Sequence, residues 1–140
     1  ASLKDGHKLY SSYDVGKQLD RSRGYLDIDN YDYASLFGTN FGMNKAQRIE
    51  TFDSGSTHAM TLTAVDLDAE GNPLKWKVEN SWGETYGQQG YLVMTNAWFG
   101  EYMFRLVVSK RYASLETLHQ FDSEPIMVMP DDPLFIGDDM

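Results

Sequence analysis

Two alternating segments joined by a polar turn constrain the fold of this chain more than any other feature. THAMTLTAVDLD, which begins at Thr57, places apolar or small residues at every second position, and LKWKVEN (Leu74–Asn80) alternates in the same way. DAEGNP (Asp68–Pro73) lies between them and has the Gly, Asn and Pro typical of a turn. Strict alternation indicates β-strands, so we predict an antiparallel hairpin over this stretch.

The segments around the hairpin predict an α+β fold. YLVMT (Tyr91–Thr95) and MFRLVVS (Met103–Ser109) have the pattern of two further strands, joined by NAWFGEY, and a short strand is expected over Lys8–Tyr13. NKAQRIETF (Asn44–Phe52) predicts a short helix with Asn44 as its N-cap. RGYLDIDNYDYASLFGTNFGM reads as a long, aromatic-rich surface loop.

We predict a single domain over residues 1–140, divided into three parts. Residues 1–56 form an irregular segment with a short helix, and residues 57–112 form the antiparallel β-sheet core. Residues 113–140 contain one helical turn and then an extended C-terminal arm, because three prolines follow within a short distance. The fold class is therefore α+β, with an antiparallel sheet and aromatic-rich loops.

Composition excludes several classes of protein. The formal net charge of −9 is unfavourable for binding nucleic acid or an anionic membrane surface. No apolar run approaches the ~20 residues that span a bilayer. The 140 residues include no cysteine, which excludes disulfides, thiolate metal sites and a thiol nucleophile within this chain.

The hairpin brings a histidine and an asparagine to the same end of the sheet. If paired positions sum to about 141, His58 and Asn80 are offset by about three residues, or ~10 Å along a strand. A bulge or a loop excursion at Ser56–His58 would close that gap to hydrogen-bond distance. The Asn80 carbonyl could then accept the Nδ1–H of His58 and leave Nε2 exposed, an arrangement that suits a Cys–His pair. Trp82 could lie over the contact and exclude water. A satisfied polar residue at a strand edge remains the alternative.

Taken together, the motifs resemble those of the bleomycin hydrolase / aminopeptidase C family of papain-like cysteine peptidases. The marks are THAM at the histidine, KWKVENSWG at the asparagine, GY…AWFGEY after it, and YDVGK, YDYASLFG and FGMNKAQR before it. SEPIMVMPDDPL resembles the family's C-terminal arm. The resemblance implies the papain-like fold, mainly its β-sheet or barrel half.

The resemblance also implies roles for individual residues. His58 matches the general base, Asn80 the orienting asparagine and Trp82 the tryptophan of the family's NSWG motif. The family's cysteine nucleophile and oxyanion-hole glutamine have no counterpart here. We therefore expect the C-terminal part of a cysteine aminopeptidase that acts on peptides, needs no cofactor and forms a homohexamer in the cytoplasm. The 140-residue chain alone is expected to be inactive.

The acidic C-terminus has two interpretations. In the family the arm lies in the active-site cleft, so Asp138, Asp139 and the Met140 carboxylate could bind the α-ammonium group of a substrate. The alternative is a solvated acidic terminus. The arm lacks the tryptophan expected of the family in PDDPL and continues further, which puts strict aminopeptidase specificity in question.

Metal binding is not predicted for this chain. DLDAEGNPLKWK (Asp66–Lys77) begins like an EF-hand loop but has lysine at its twelfth position, and DIDNYD (Asp27–Asp32) lacks the required glycine. His7 and His119 have no ligand-spaced partners and are expected at the surface. The rival function is a non-catalytic, β-rich protein-interaction domain or a degenerate peptidase homologue, which the missing cysteine and the many tyrosines would fit.

Overall fold

Seven strands form one mixed sheet in the computed structural model, which describes residues 1–134. The strands are β1 (Leu9–Tyr13), β2 (Leu19–Asp20), β3 (Tyr25–Leu26), β4 (His58–Leu67), β5 (Pro73–Glu79), β6 (Tyr91–Thr95) and β7 (Met103–Leu106). Their order across the sheet is β2-β3-β6-β5-β4-β1-β7. Neighbouring strands are antiparallel except β3 and β6, which are parallel.

The predicted hairpin is present as β4 and β5, and its register shifts twice, at Thr63 and again between Asp66 and Leu67. Near the turn the paired positions sum to about 141, as in Val65↔Trp76, but after a bulge at Thr63 they sum to 140, as in Leu62↔Val78. The bulge also shifts the alternation, because Leu62 and Val65 line the same cavity at one end of the sheet. We expected the bulge at Ser56–His58, and the sequence pattern gave no sign of its actual position.

Four α-helices and one 3₁₀ turn lie among the described residues. They are α1 (Tyr33–Phe37), α2 (Lys45–Glu50), α3 (Asn96–Tyr102), the 3₁₀ turn Lys110–Tyr112 and α4 (Leu115–Phe121). Asn44 caps α2 as predicted, since its side chain accepts from the Gln47 N–H and the Gln47 side chain accepts from the Asn44 N–H. The helix α3 was expected only as a connection between strands.

The hydrophobic core lies against one face of the sheet and includes the side chains of Tyr13, Leu62 and Met94. Trp98 of α3 is fully buried there, packs 5.9 Å from the Tyr13 ring, and donates from Nε1 to the Lys17 carbonyl at 2.8 Å. The Tyr13 hydroxyl donates to Ser11 Oγ at 2.7 Å, and burial raises the pKa of Tyr13 to about 12. Aromatic packing and satisfied polar groups together fix β1 beside β4.

The first and last parts of the chain are more regular than the sequence predicted. Residues 1–56 contribute β1, β2 and β3 to the same sheet as the hairpin, so the core is not confined to residues 57–112. The predicted surface loop includes β3 and α1. The strand expected over Met103–Ser109 ends at Leu106, and α4 is longer than one turn. Residues 124–129 have no regular secondary structure, and 135–140 lie outside the described residues.

Candidate active site

The structure brings the imidazole of His58 onto the side-chain carbonyl of Asn80. His58 is the first residue of β4 and pairs with Tyr13, whereas Asn80 directly follows β5. His58 Nε2 lies 2.8 Å from Asn80 Oδ1. The bulge makes this possible: the register after Thr61↔Glu79 sets Asn80 opposite Met60, two positions from His58. An even offset keeps both side chains on one face as diagonal neighbours, whereas an offset of three would put them on opposite faces.

The backbone fixes which end of the Asn80 amide faces the histidine. The Ser81 N–H donates to Asn80 Oδ1 at 2.8 Å, so this atom is the acceptor oxygen. An oxygen facing His58 Nε2 requires that Nε2 carries the proton. In the neutral ring the lone pair is therefore on Nδ1, which has no hydrogen-bond partner within residues 1–134.

The nitrogen assignment predicted from the sequence is wrong. We expected Nδ1–H to bond Asn80 and Nε2 to be exposed, but the structure has the reverse. Nε2 is the ring atom farther from the backbone, so it can reach a residue on the neighbouring strand two positions away. Nδ1 stays near the backbone of His58 and is left available. A base at this site would act through Nδ1.

Trp82 lies over the histidine. Its ring stacks on the His58 imidazole at a centroid distance of 4.9 Å and an interplanar angle of 27°. Tyr86 packs edge-on against Trp82 at 5.9 Å, and the Arg21 guanidinium lies 6.0 Å from the centre of the Trp82 ring. This stack covers one face of the imidazole and limits the access of water to the His58–Asn80 bond. Neither Tyr86 nor Arg21 was singled out from the sequence, because aromatic and basic residues in loops are common.

A close approach of two glycines holds the loop that carries Trp82. The backbone at Gly87 has a φ of 60°, and a Cβ there would lie 2.4 Å from the Tyr91 carbonyl oxygen. A Cβ on Gly24, just before β3, would lie 2.5 Å from Gly87 Cα. Only glycine fits at both positions, so the loop packs directly against the start of β3.

One polar atom of the site is left without a partner. Asn80 Nδ2 is buried and has no hydrogen bond within the described part of the chain. Buried donors are almost always satisfied, and an unpaired one is destabilising. The Asn80 Nδ2–H group beside His58 can therefore donate to an acceptor that residues 1–134 do not supply.

The other candidate residues from the sequence lie away from this site or outside the residues that the structure describes. Asp68 of the EF-hand-like stretch accepts from the Asn72 backbone and side chain at 2.7 and 3.0 Å, and these bonds lower the pKa of its carboxyl. His7 contacts Arg111 and the Tyr112 ring, and His119 is exposed on α4. Residues 1–134 contain no group of three His, Asp or Glu side chains placed to hold a metal. Asp138, Asp139 and Met140 lie outside the described residues.

None of the helices within residues 1–134 is both long and apolar enough to cross a membrane.

Comparison with curated proteins shows clear similarity to peptidases. Aminopeptidase C of Streptococcus thermophilus is 42% identical over 134 residues, which cover 96% of this chain and 30% of that protein. Bleomycin hydrolase of Rattus norvegicus is 44% identical over 137 residues, with the same two coverages. The chain thus spans about 30% of the length of these relatives.

A solved structure confirms the fold class. The crystal structure of PepW from Lactobacillus rhamnosis HN001 matches with a TM-score of 0.86 and 43% identity, covering 95% of this chain and 30% of that one. The resemblance to the papain-like fold is therefore confirmed for the C-terminal part of such an enzyme. The Peptidase C1-like family model matches residues 1–135. This chain belongs to the Peptidase C1-like family.

Proposed function

We propose that this chain is the histidine- and asparagine-bearing C-terminal part of a cysteine aminopeptidase. One observation carries the proposal: His58 Nε2 is held on Asn80 Oδ1 at 2.8 Å while Nδ1 is left without a partner. This is the geometry of a base oriented by a neutral acceptor, with the reactive nitrogen available to a nucleophile. The similarity to aminopeptidase C and bleomycin hydrolase supports the same role.

In the complete enzyme the reaction is acyl transfer. His58 Nδ1 takes the proton of a cysteine thiol supplied by the preceding part of the enzyme, and the thiolate attacks the carbonyl carbon of a peptide. The resulting imidazolium returns that proton to the leaving amine, which departs as the C–N bond breaks and a thioester remains. Water, deprotonated by Nδ1, then hydrolyses the thioester and regenerates the thiol.

Asn80 and Trp82 support this cycle without reacting. Asn80 Oδ1 accepts from Nε2–H in both protonation states of the ring, so it holds the imidazole in place without adding a negative charge beside the thiolate–imidazolium pair. Trp82 excludes water from the bond, which strengthens it. The unpaired Asn80 Nδ2 fits a site completed by another part of the enzyme.

We expect the 140-residue chain to have no peptidase activity alone, because it has no cysteine. Its partners would be the part that carries the cysteine and oxyanion glutamine, a peptide substrate and further copies of the enzyme in a homohexamer. A cytoplasmic location and a single domain over residues 1–140 stay predictions. Binding of a substrate α-ammonium by Asp138, Asp139 and the Met140 carboxylate is likewise proposed from the sequence.

A non-catalytic interaction domain, or a degenerate peptidase homologue, is the second candidate. A row of exposed aromatic rings favours it: Tyr33 stacks on Phe37, and Phe37 packs edge-on against Phe41. Phe37 and Phe41 are 65% and 68% exposed. Exposed apolar patches of this kind mark surfaces that contact other protein. In the complete enzyme the same rings would contact the preceding part of the chain.

A fusion protein separates the two functions. The part of Streptococcus thermophilus aminopeptidase C that precedes the matched region, followed by residues 1–140, should hydrolyse fluorogenic aminoacyl amides, whereas the 140-residue chain alone should not. His58→Ala should lower kcat/KM of the fusion by about 10⁴-fold or more. His119→Ala, on the exposed face of α4, is the matched control and should change it less than about 2-fold.

Two results would contradict the proposal. A fusion that folds like its parent aminopeptidase but shows no turnover would favour the interaction domain. Activity that survives His58→Ala would show that the base lies elsewhere.

A further inference from the structure

A carboxylate that the proposed reaction does not use is buried one strand away from His58. Asp14 directly follows β1 and is only 5% exposed, and its Oδ2 accepts from Ser54 Oγ at 2.8 Å. Ser54 is 3% exposed. Burial raises the pKa of the Asp14 carboxyl above its usual range, while bonds from Ser54 and the Gly55 N–H and the charge of Lys17 oppose that rise. Nearby Asp53 adds to the rise.

The segment bonded to Asp14 leads directly into His58. Residues 54–57 lie between α2 and β4 and have no regular secondary structure. Asp14 holds the start of this segment through Ser54 and Gly55. Thr57 holds its end, because its N–H donates to the Tyr13 carbonyl at 3.0 Å and its Oγ1 accepts from the Val15 N–H at 3.2 Å. These bonds connect residues 54–57, which precede β4, to the end of β1, the strand whose Tyr13 pairs with His58.

Backbone hydrogen bonds hold Asp14 in place independently of its side chain. The Asp14 N–H donates to the Tyr102 carbonyl at 3.0 Å, and the Lys17 N–H donates to the Asp14 carbonyl at 3.3 Å. The Lys17 carbonyl is also held by Trp98 Nε1. The side chain therefore connects an already fixed loop to the segment before His58. Residues 54–57 form no strand pairing of their own, and among the described residues the start of the segment is otherwise held only by the Ser54 N–H, which donates to the Arg48 carbonyl of α2 at 3.0 Å.

We propose that Asp14 is a positioning residue for His58, acting through Ser54 and Gly55 on the backbone that carries the imidazole. The hydrogen bonds from Ser54 and Gly55 to Asp14 fix the backbone just before β4. The bonds of Thr57 to β1 and Val15 then fix the backbone position of His58, the next residue. The ring then meets Asn80 Oδ1 with Nε2 and leaves Nδ1 available. The inference deepens the proposed function and rests on it for its catalytic consequence, although its structural part does not.

The test uses the complete 140-residue chain and the tautomer of His58. Long-range ¹H–¹⁵N NMR spectra report which ring nitrogen carries the proton and how fast it exchanges. Ser54→Ala removes the hydroxyl, and Asp14→Asn replaces one carboxylate oxygen with a donor group. We expect either change to lower the ratio of Nε2–H to Nδ1–H by about 2- to 10-fold, as for the loss of one hydrogen bond.

Two further variants make the result specific. Ser54→Thr keeps the hydroxyl and should restore the ratio to within about 2-fold of the unsubstituted chain. Asp53→Asn changes an exposed neighbouring carboxylate that pairs with Lys17 at 3.2 Å and should leave the ratio unchanged. If Asp14→Asn does not fold, Ser54→Ala and Ser54→Thr decide the question. Folded Ser54→Ala with an unchanged ratio would overturn the proposal, as would a ratio that Ser54→Thr fails to restore.

A second, kinetic experiment uses the fusion protein and separates the two proposals. Ser54→Ala should lower kcat by about 10-fold and leave KM within about 2-fold, because a displaced base slows chemistry without touching substrate. An inactive fusion whose 140-residue chain still shows the tautomer change would reject the proposed function alone. An active fusion with unchanged kcat in folded Ser54→Ala would reject the role of Asp14 alone.

Discussion

Two regions of the described chain, the site around His58 and the arm after α4, differ in the contacts that hold them in place. His58, Asn80 and Trp82 sit at the end of a sheet, where hydrogen bonds, a ring stack and the packing behind Tyr13 fix each group. The described part of the arm, residues 125–134, has no ring stack and no buried side chain, and Ile126 and Met127 are 89% and 87% exposed. Within residues 125–134 the hydrogen bonds are local, such as Asp132 N–H to the Met129 carbonyl at 3.0 Å.

The difference separates what this chain builds by itself from what depends on another part of an enzyme. The proposed base and its orienting group depend on the register of β4 and β5, on the loop after β5 and on the contacts of Asp14 before β4, all of which belong to this chain. Exposed apolar side chains in an extended arm lose most of the stabilisation that burial provides. We therefore expect the sheet end to be formed in the isolated chain and the arm to act only in a complete enzyme.

Trp98→Ala should break the sheet end most strongly. The side chain is fully buried behind Tyr13, so its removal should lower the free energy of unfolding of the chain by about 3–5 kcal/mol. Phe121→Ala, at a side chain 78% exposed near the arm, should change it by less than about 0.5 kcal/mol. Urea unfolding followed by tryptophan fluorescence and circular dichroism gives both values. Equal losses would contradict the difference between the two regions.

Asn80→Ala should affect turnover more than folding. Without Oδ1 the His58 ring loses the acceptor for Nε2–H, and we expect kcat of the fusion protein to fall by about 10- to 100-fold. The effect should be smaller than that of His58→Ala, because Asn80 orients and does not react. Initial rates over a range of substrate concentrations separate kcat from KM. An unchanged kcat would show that the contact with Asn80 has no part in catalysis.

Asp14 makes the stability of the region around His58 depend on pH. Because burial raises the folded-state pKa, the stability that Asp14 contributes is present below its unfolded pKa, ~3.9, and is lost as the pH rises through the folded value. The stability of Asp14→Asn relative to the unsubstituted chain should therefore increase from about pH 4 upward and then level off. Urea midpoints measured from pH 4 to 8 test this. A difference that is constant with pH would count against a raised pKa.

Removal of residues 135–140 should have the smallest effect on stability. We expect the melting temperature of the 140-residue chain to change by less than about 2 °C, since terminal residues rarely support a fold. In the fusion protein the same deletion should increase cleavage within peptides relative to removal of N-terminal residues. Mass spectrometry of the products of one defined peptide measures that ratio. An unchanged product pattern would reject the proposed role of Asp138, Asp139 and the terminal carboxylate.

Features set by local sequence could be predicted well. The β6 strand was predicted over Tyr91–Thr95 and has those bounds, and the cap at Asn44 follows from side-chain chemistry close in sequence. The contact between His58 and Asn80 could be only half predicted. The turn brings the two strands together, but the bulge at Thr63 that sets their offset leaves no mark on an alternating pattern.

Features set by distant packing could not be predicted. NAWFGEY has a glycine and three aromatic rings, and it is helical because Trp98 is buried against Tyr13 and bonded to the Lys17 carbonyl. The parallel pairing of β3 with β6 joins segments more than sixty positions apart, and it depends on the close approach of Gly24 and Gly87. The choice of Nε2 as the bonded nitrogen depends on the offset across the hairpin, which only the structure gives.

The protonation of the His58 ring tests the central claim most directly. Long-range ¹H–¹⁵N NMR of the unsubstituted 140-residue chain, at a pH where the ring is neutral, should show the proton of His58 mainly on Nε2 and in slow exchange with water. His119, exposed on α4, provides the internal control for an unrestrained ring, and Asn80→Ala should make His58 resemble it. A proton found mainly on Nδ1, or a His58 signal that already resembles His119, would contradict a preformed base in this chain.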